Sequence, residues 1–190
     1  VNGKYTVYNV TSKVQFDVKF AVAVSNNSVS VSTVTTFPGS EIVIPIEMSN
    51  VEEITAFQFD LYMPEGITIP TDDEGEFMIA IDGERKTSSH IITAAEQEDG
   101  AIRVIAYSSS NKPFRGTEGA LVNITAIVPE SMSIGEYQMT MKDIRLADTS
   151  EREYITEELT STINVTFMKG DVNKDFTVSI GDVVALVNHI

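Results

Sequence analysis

TTFPGSEIVIPIEMSNVEEITAFQFDLYMPEGITI, residues 35–69, decides how this chain folds. Ile42, Ile44, Ile46 and Met48 fall at every second position, and after a short polar break Phe57, Phe59, Leu61 and Met63 repeat the pattern with Gln58, Asp60 and Tyr62 between them. Side chains alternate across a β-strand, so each run predicts a strand with one buried and one outward face. Pro45 interrupts the first run, and proline cannot donate to a ladder, so an edge or a bulge is expected there.

Further runs of strand type follow downstream. They are FMIAI (77–81), AIRVIAYS (101–108), ALVNITAIV (120–128), EYQMTMKDIRL (136–146) and STINVTF (161–167). Turn-rich stretches such as PEG, TDDEG, EDG and NKPFRGTEG separate them. Around eight or nine strands with no long helical period between them predict an all-β fold, an antiparallel sandwich. Upstream, KVQFDVKFAVAV (13–24) places Val14, Phe16, Val18, Phe20, Val22 and Val24 on one face. Two strands cannot bury both faces unaided, so residues 1–24 are expected to be the tail of a preceding module or extra strands. A Ser/Asn-rich linker is expected at 25–29, the sandwich at 30–168 and a separate terminal unit at 169–190.

Composition limits the partners. The 190 residues are 42% hydrophobic, enough for one sizeable core, and 13 basic against 28 acidic residues give a formal charge of -15. Phosphate backbones and anionic headgroups are repelled by such a surface, so neither nucleic acid nor membrane insertion is expected. Cysteine is absent, which removes disulfides, thiolate metal sites and cysteine nucleophiles. The first residue is Val1 and no signal peptide is visible, so the chain reads as an excised piece of a larger protein.

The terminal stretch GDVNKDFTVSIGDVVALVNHI (170–190) breaks the β pattern. Oxygen-bearing side chains recur at Asp171, Asn173 and Asp175, the backbone carbonyl of Thr177 comes next, Ser179 follows, and Asp182 closes a twelve-residue span. A hard cation needs six to eight oxygens converging at about 2.3–2.6 Å, so this spacing predicts a Ca²⁺ loop. Phe176 stands where such loops place a glycine, and a left-handed backbone there costs of order 1–3 kcal/mol. An acidic turn with a helix cap is the other reading of the same residues. From Asp182 onward, Val183, Leu186, Val187 and Ile190 form one apolar stripe of a helix too short to stand by itself. Docking of that stripe on the same chain's sandwich is therefore expected, with His189 on its exposed side. At free calcium about a hundredfold above the dissociation constant, the ion adds roughly 2.7 kcal/mol of stability.

This last stretch resembles a single dockerin repeat, the calcium-loop-plus-helix unit by which modular bacterial surface proteins dock onto cohesins. The resemblance implies Asp171, Asn173, Asp175, Thr177 and Asp182 as the Ca²⁺ ligands, and it places the residue pair that often sets partner choice on Ile180 and Gly181. Dockerins normally carry two repeats, and the resemblance covers one. Residues 35–69, with GTEGALVNITAIV (116–128) and GEYQMTMKDIRLAD (135–148), resemble the cohesin-like jelly-roll sandwich.

Together these resemblances imply a non-catalytic protein–protein interaction or scaffolding module of a secreted or cell-surface bacterial protein. Its partner is expected to be of cohesin or dockerin type, or a neighbouring module of the same protein. The alternative is a carbohydrate-binding module taking polysaccharide, which needs exposed aromatic rings; tryptophan is absent, leaving Tyr62, Tyr107 and Phe114. Catalysis has thin support. The Asp72, Asp73, Glu74, Glu76 run reads as a solvated loop, and His90 and His189 have no metal spacing.

Overall fold

The computed structural model describes residues 26–173, 175 and 177–188. Expectations for residues 1–24, for the backbone at Phe176 and for His189 and Ile190 fall outside them.

Two sheets face each other across one core. The smaller has the order β1 (Ser28–Val31), β3 (Glu41–Ser49), β8 (Ala120–Ile127), β5 (Ile79–Ile81). The larger has the order β2 (Val34–Thr36), β11 (Leu159–Val165), β9 (Gly135–Asp148), β4 (Ile54–Tyr62), β7 (Ile102–Ser108), β6 (His90–Glu96), with β10 (Glu153–Thr156) also paired to β9. A short helix, α1 (Ile180–Asn188), closes the described chain. The all-β sandwich is as expected. One pairing differs, since β2 runs parallel to β11 and makes the larger sheet mixed.

The alternation in residues 35–69 sets the core. Ile44, Ile46 and Met48 from β3 meet Phe57, Phe59 and Leu61 from β4, all at most 4% exposed. Ile124 and Val122 of β8, Val104 of β7, and Met139 and Met141 of β9 complete the layer. Pro45 sits one residue beyond Ile46, the last residue of β3 that pairs with β1, and beside a register shift between Ile46 and Glu47. The missing N–H is thus accommodated where one neighbour has ended. Between Phe37 and Ser40 the chain reverses through Pro38 and Gly39, where φ of +79° needs a residue without a Cβ.

Four elements depart from the sequence expectation. β1 lies in the Ser-rich stretch assigned to the linker, so the sandwich starts at Ser28 and 25–29 is not all linker. Val29 and Val31, alternating with serines, supply an inward face there. β2 and β10 are three and four residues long, too brief to show a period. β6 was hidden because an edge strand needs little apolar alternation, and HIITAAE buries only one side partway.

Candidate functional site

Gly170, with φ of +99°, turns the chain into the acidic loop. Asp171 is buried, and its Oδ1 accepts the N–H of Asp175 at 3.1 Å. Asn173 accepts the same N–H through Oδ1 and donates through Nδ2 to Asp175 Oδ2 at 2.7 Å, while Asp175 Oδ1 accepts the N–H of Thr177 at 3.0 Å. Asp182 closes the loop from the other end. Its Oδ1 accepts the N–H of Val172 at 2.7 Å and, more weakly, of Asn173 at 3.3 Å, and its Oδ2 takes the N–H of Ser179 at 2.6 Å.

Ser179 and Asp182 form a capping box for α1. The serine Oγ accepts the N–H of Gly181 at 3.0 Å while the aspartate reaches back to the serine N–H. These donors, led by the Ser179 N–H, hold the Asp182 carboxyl below the ordinary aspartate range. One carboxylate oxygen from each of Asp171, Asp175 and Asp182 lies within 4.8 Å of the others. Two oxygens across a calcium ion stand about 4.6–5.2 Å apart, twice the bond length, so the three are spaced as ligands of one ion. Asn173 is tied to that cluster through Asp175, and Thr177 follows it by one backbone hydrogen bond. The donor set is of hard oxygens only, which suits Ca²⁺.

Among the described residues, the helix is not docked on the sandwich, contrary to the expectation of cis packing. Val183, Leu186 and Val187 are 53%, 52% and 64% exposed, so the sandwich does not cover the stripe. Ile180 follows the end of β11 at Val165 by fifteen positions.

A second feature, missed in the sequence, is the outward face of the larger sheet. Register places Ile91, Tyr107, Ala56, Ala147 and Glu153 in one row across β6, β7, β4, β9 and β10. The next row is Thr93, Ile105, Gln58, Arg145 and Ile155. Ile91 and Tyr107 are 45% and 44% exposed, beside the small side chains of Ala56 and Ala147. Below them an ionic chain crosses the sheet. Arg103 clamps Asp60 at 2.6 and 2.7 Å, and Asp143 accepts from both Gln58 and Arg145, which reaches on to Glu153 at 3.0 Å. Asp143 adopts φ of +47° at the bulge between the Gln58 and Asp60 registers, and this turn aims its carboxylate at both neighbours. The alternation of β4 and β7 marked these positions as outward; only strand order could put them side by side.

Of the aromatic candidates for a sugar platform, Phe114 is 4% exposed and stacks on His90 with 4.0 Å between ring centroids. Tyr62 donates its hydroxyl to Asp99 at 2.7 Å under the Lys142 ammonium. Tyr107 keeps an open ring. His90 is buried, with Nδ1 accepting the Thr87 N–H and Nε2 donating to the Lys112 carbonyl. Among the described residues, no helix is long and apolar enough to cross a membrane.

The fold defines the class: an all-β sandwich of a smaller and a larger, mixed sheet. The cohesin domain model matches residues 27–167, and the chain belongs to the cohesin domain family, whose members are protein–protein interaction modules. Among solved structures, it is similar to the sixth cohesin of Acetivibrio cellulolyticus scaffoldin B, solved with a dockerin, at 14% identity and a TM-score of 0.61, covering 75% of this chain and 100% of that one. A cohesin–dockerin complex from Clostridium thermocellum gives 15% identity and 0.60, covering 74% and 99%. A non-cellulosomal cohesin from the archaeon Archaeoglobus fulgidus gives 13% and 0.57, covering 75% and 92%. No curated protein matches the chain.

Proposed function

We propose that this chain is a non-catalytic docking module of a secreted or cell-surface protein, and that it binds a dockerin-type helical partner on the outward face of the larger sheet. The observation that carries the reading is the row Ile91, Tyr107, Ala56, Ala147. Apolar side chains stand exposed there on a sheet face otherwise laced with ion pairs, the composition of an interface centre with a charged rim. From β7 to β10 the face spans about 14 Å, three strand spacings, which accommodates one helix of about 10–12 Å. Cohesins of the same fold were solved with dockerins bound, in line with this partner class.

We further propose that Asp171, Asn173, Asp175, Thr177 and Asp182 hold one Ca²⁺, which fixes the loop and sets the direction of α1. Sugar binding has weaker support, since Tyr107 is the one open ring of the three aromatics considered. Isothermal titration against a panel of dockerin modules tests the docking reading. Wild type binds at least one of them, and Tyr107→Glu weakens that binding at least tenfold by placing a charge at the centre of the patch. Equal affinity of the two proteins sinks the assignment of the face.

A further inference from the structure

The edges of the two sheets are protected unequally. β1, β2 and β5 end their sheets with four, three and three residues, too few to template another strand. β6 ends the larger sheet with seven, and its register with β7 runs from His90↔Ser108 to Glu96↔Ile102 without a bulge. HIITAAE contains neither lysine nor proline, and its one carboxylate, Glu96, stands at the end. Pairing along this edge is therefore open.

Hydrogen bonds at both ends of the β6–β7 ladder fix which backbone groups face away from it. Ser109 donates its N–H to the Ser89 carbonyl and Gln97 its N–H to the Ala101 carbonyl, so the odd positions of β6 bond to β7. The N–H and C=O groups of Ile92 and Ala94 turn the other way, and among the described residues no hydrogen-bond partner meets those N–H groups. Their side chains point inward and are half-buried against the core. An added strand would cover them.

Beside the last residue of β6 lies a hollow of about 330 Å³. Met63, Phe77 and Ile102, half-buried and packed on the core, line it together with the exposed Glu65 and Glu96. Neither glutamate is ion-paired among the described residues. No lysine or arginine lies between Met63 and Glu84 or between Ile91 and Ile102, the two stretches that meet there. Charge thus selects the occupant: a second copy would bring the same acidic hollow and a formal charge of -15, whereas a basic segment brings the complement.

We infer that the free edge of β6 accepts an extended basic peptide segment as an added strand, with an apolar side chain in the hollow and a lysine or arginine beside Glu65 and Glu96. This contact is separate from the helix-docking face. Backbone groups at the rim of the sheet make it, and it needs neither Tyr107 nor the terminal loop and helix.

A short fluorescent peptide alternating valine and lysine is the probe, titrated by anisotropy. Wild type binds it saturably, more weakly as salt rises, and the Ile92 and Ala94 amides gain protection from hydrogen exchange in the complex. Ala94→Pro removes a donor on the free side and leaves the ladder to β7 whole, because an edge strand tolerates proline where its N–H faces outward. It keeps the fold by circular dichroism and binds at least about tenfold more weakly. Glu65→Lys combined with Glu96→Lys, two exposed positions, gives a loss of the same order by a route that leaves the strand backbone untouched. Failure of wild type to bind the probe overturns the inference. So does equal binding of a valine–glutamate peptide, undiminished binding by Ala94→Pro, or self-association of wild type that Ala94→Pro abolishes, which would make a second copy the occupant.

Discussion

Arg103 grips Asp60 through two parallel hydrogen bonds, Nε to Oδ1 at 2.7 Å and Nη2 to Oδ2 at 2.6 Å, on adjacent strands of the larger sheet. The side chain of Asp60 is only 12% exposed although it points outward, because the guanidinium and its neighbours cover it. A covered, bidentate pair escapes most of the solvent screening that makes exposed ion pairs weak. Asp60→Asn is therefore expected to lower Tm by a few degrees in calorimetry. The gap should persist at about 1 M salt, where the screening length is only about 3 Å. Loss of the gap at high salt would show a pair held by long-range charge instead.

Calcium should bind once per chain and depend on Asp171. Titration calorimetry on wild type gives a stoichiometry of one, and Asp171→Ala abolishes the signal, because one of three converging carboxylates is gone. Chelator then lowers the protection of the Gly181 and Asp182 amides from hydrogen exchange in wild type and leaves the variant unchanged. Identical isotherms for the two proteins would remove the ion from the loop.

Burial pushes the His90 imidazole below its ordinary range, with the hydrogen bond to the Lys112 carbonyl opposing the shift. The folded pKa is the lower of the two, so the unfolded chain binds the extra proton first as pH falls. Stability is full above the unfolded value near 6.5 and declines as pH drops from there toward the folded value. Protonation of Nδ1 also ends its acceptance of the Thr87 N–H. Urea midpoints measured from about pH 7.5 to 5 should fall in wild type and stay flatter in His90→Gln.

Gly39→Ala should cost about 1–2 kcal/mol, since a left-handed φ of +79° is unfavourable for any residue with a Cβ. The added methyl would also approach Glu130 Cγ at 3.1 Å. Gly83→Ala, where φ is not left-handed and no atom lies within 4 Å of the place a Cβ would take, is the control expected to leave urea unfolding unchanged.

The strands of residues 35–69 and their burial were legible because a period of two is a local property. A strand buried on one side needs an apolar residue at every second position, and Ile42 through Leu61 provide it. The acidic loop was legible for a similar reason, since Asp171, Asn173, Asp175 and Asp182 lie within twelve consecutive residues and local turns bring them together. β6 and β10 were not, because edge strands carry little alternation.

What the sequence by itself determined is the β class, the inward faces of the longer strands and the oxygen-rich loop ahead of a short helix. Strand order, the parallel pairing of β2 with β11, and the row from Ile91 to Glu153 were decided only by the tertiary structure. That row joins five strands separated by up to 97 positions along the chain, from Ala56 to Glu153. No local pattern links such positions; hydrogen bonding between distant strands brings their outward side chains to one surface.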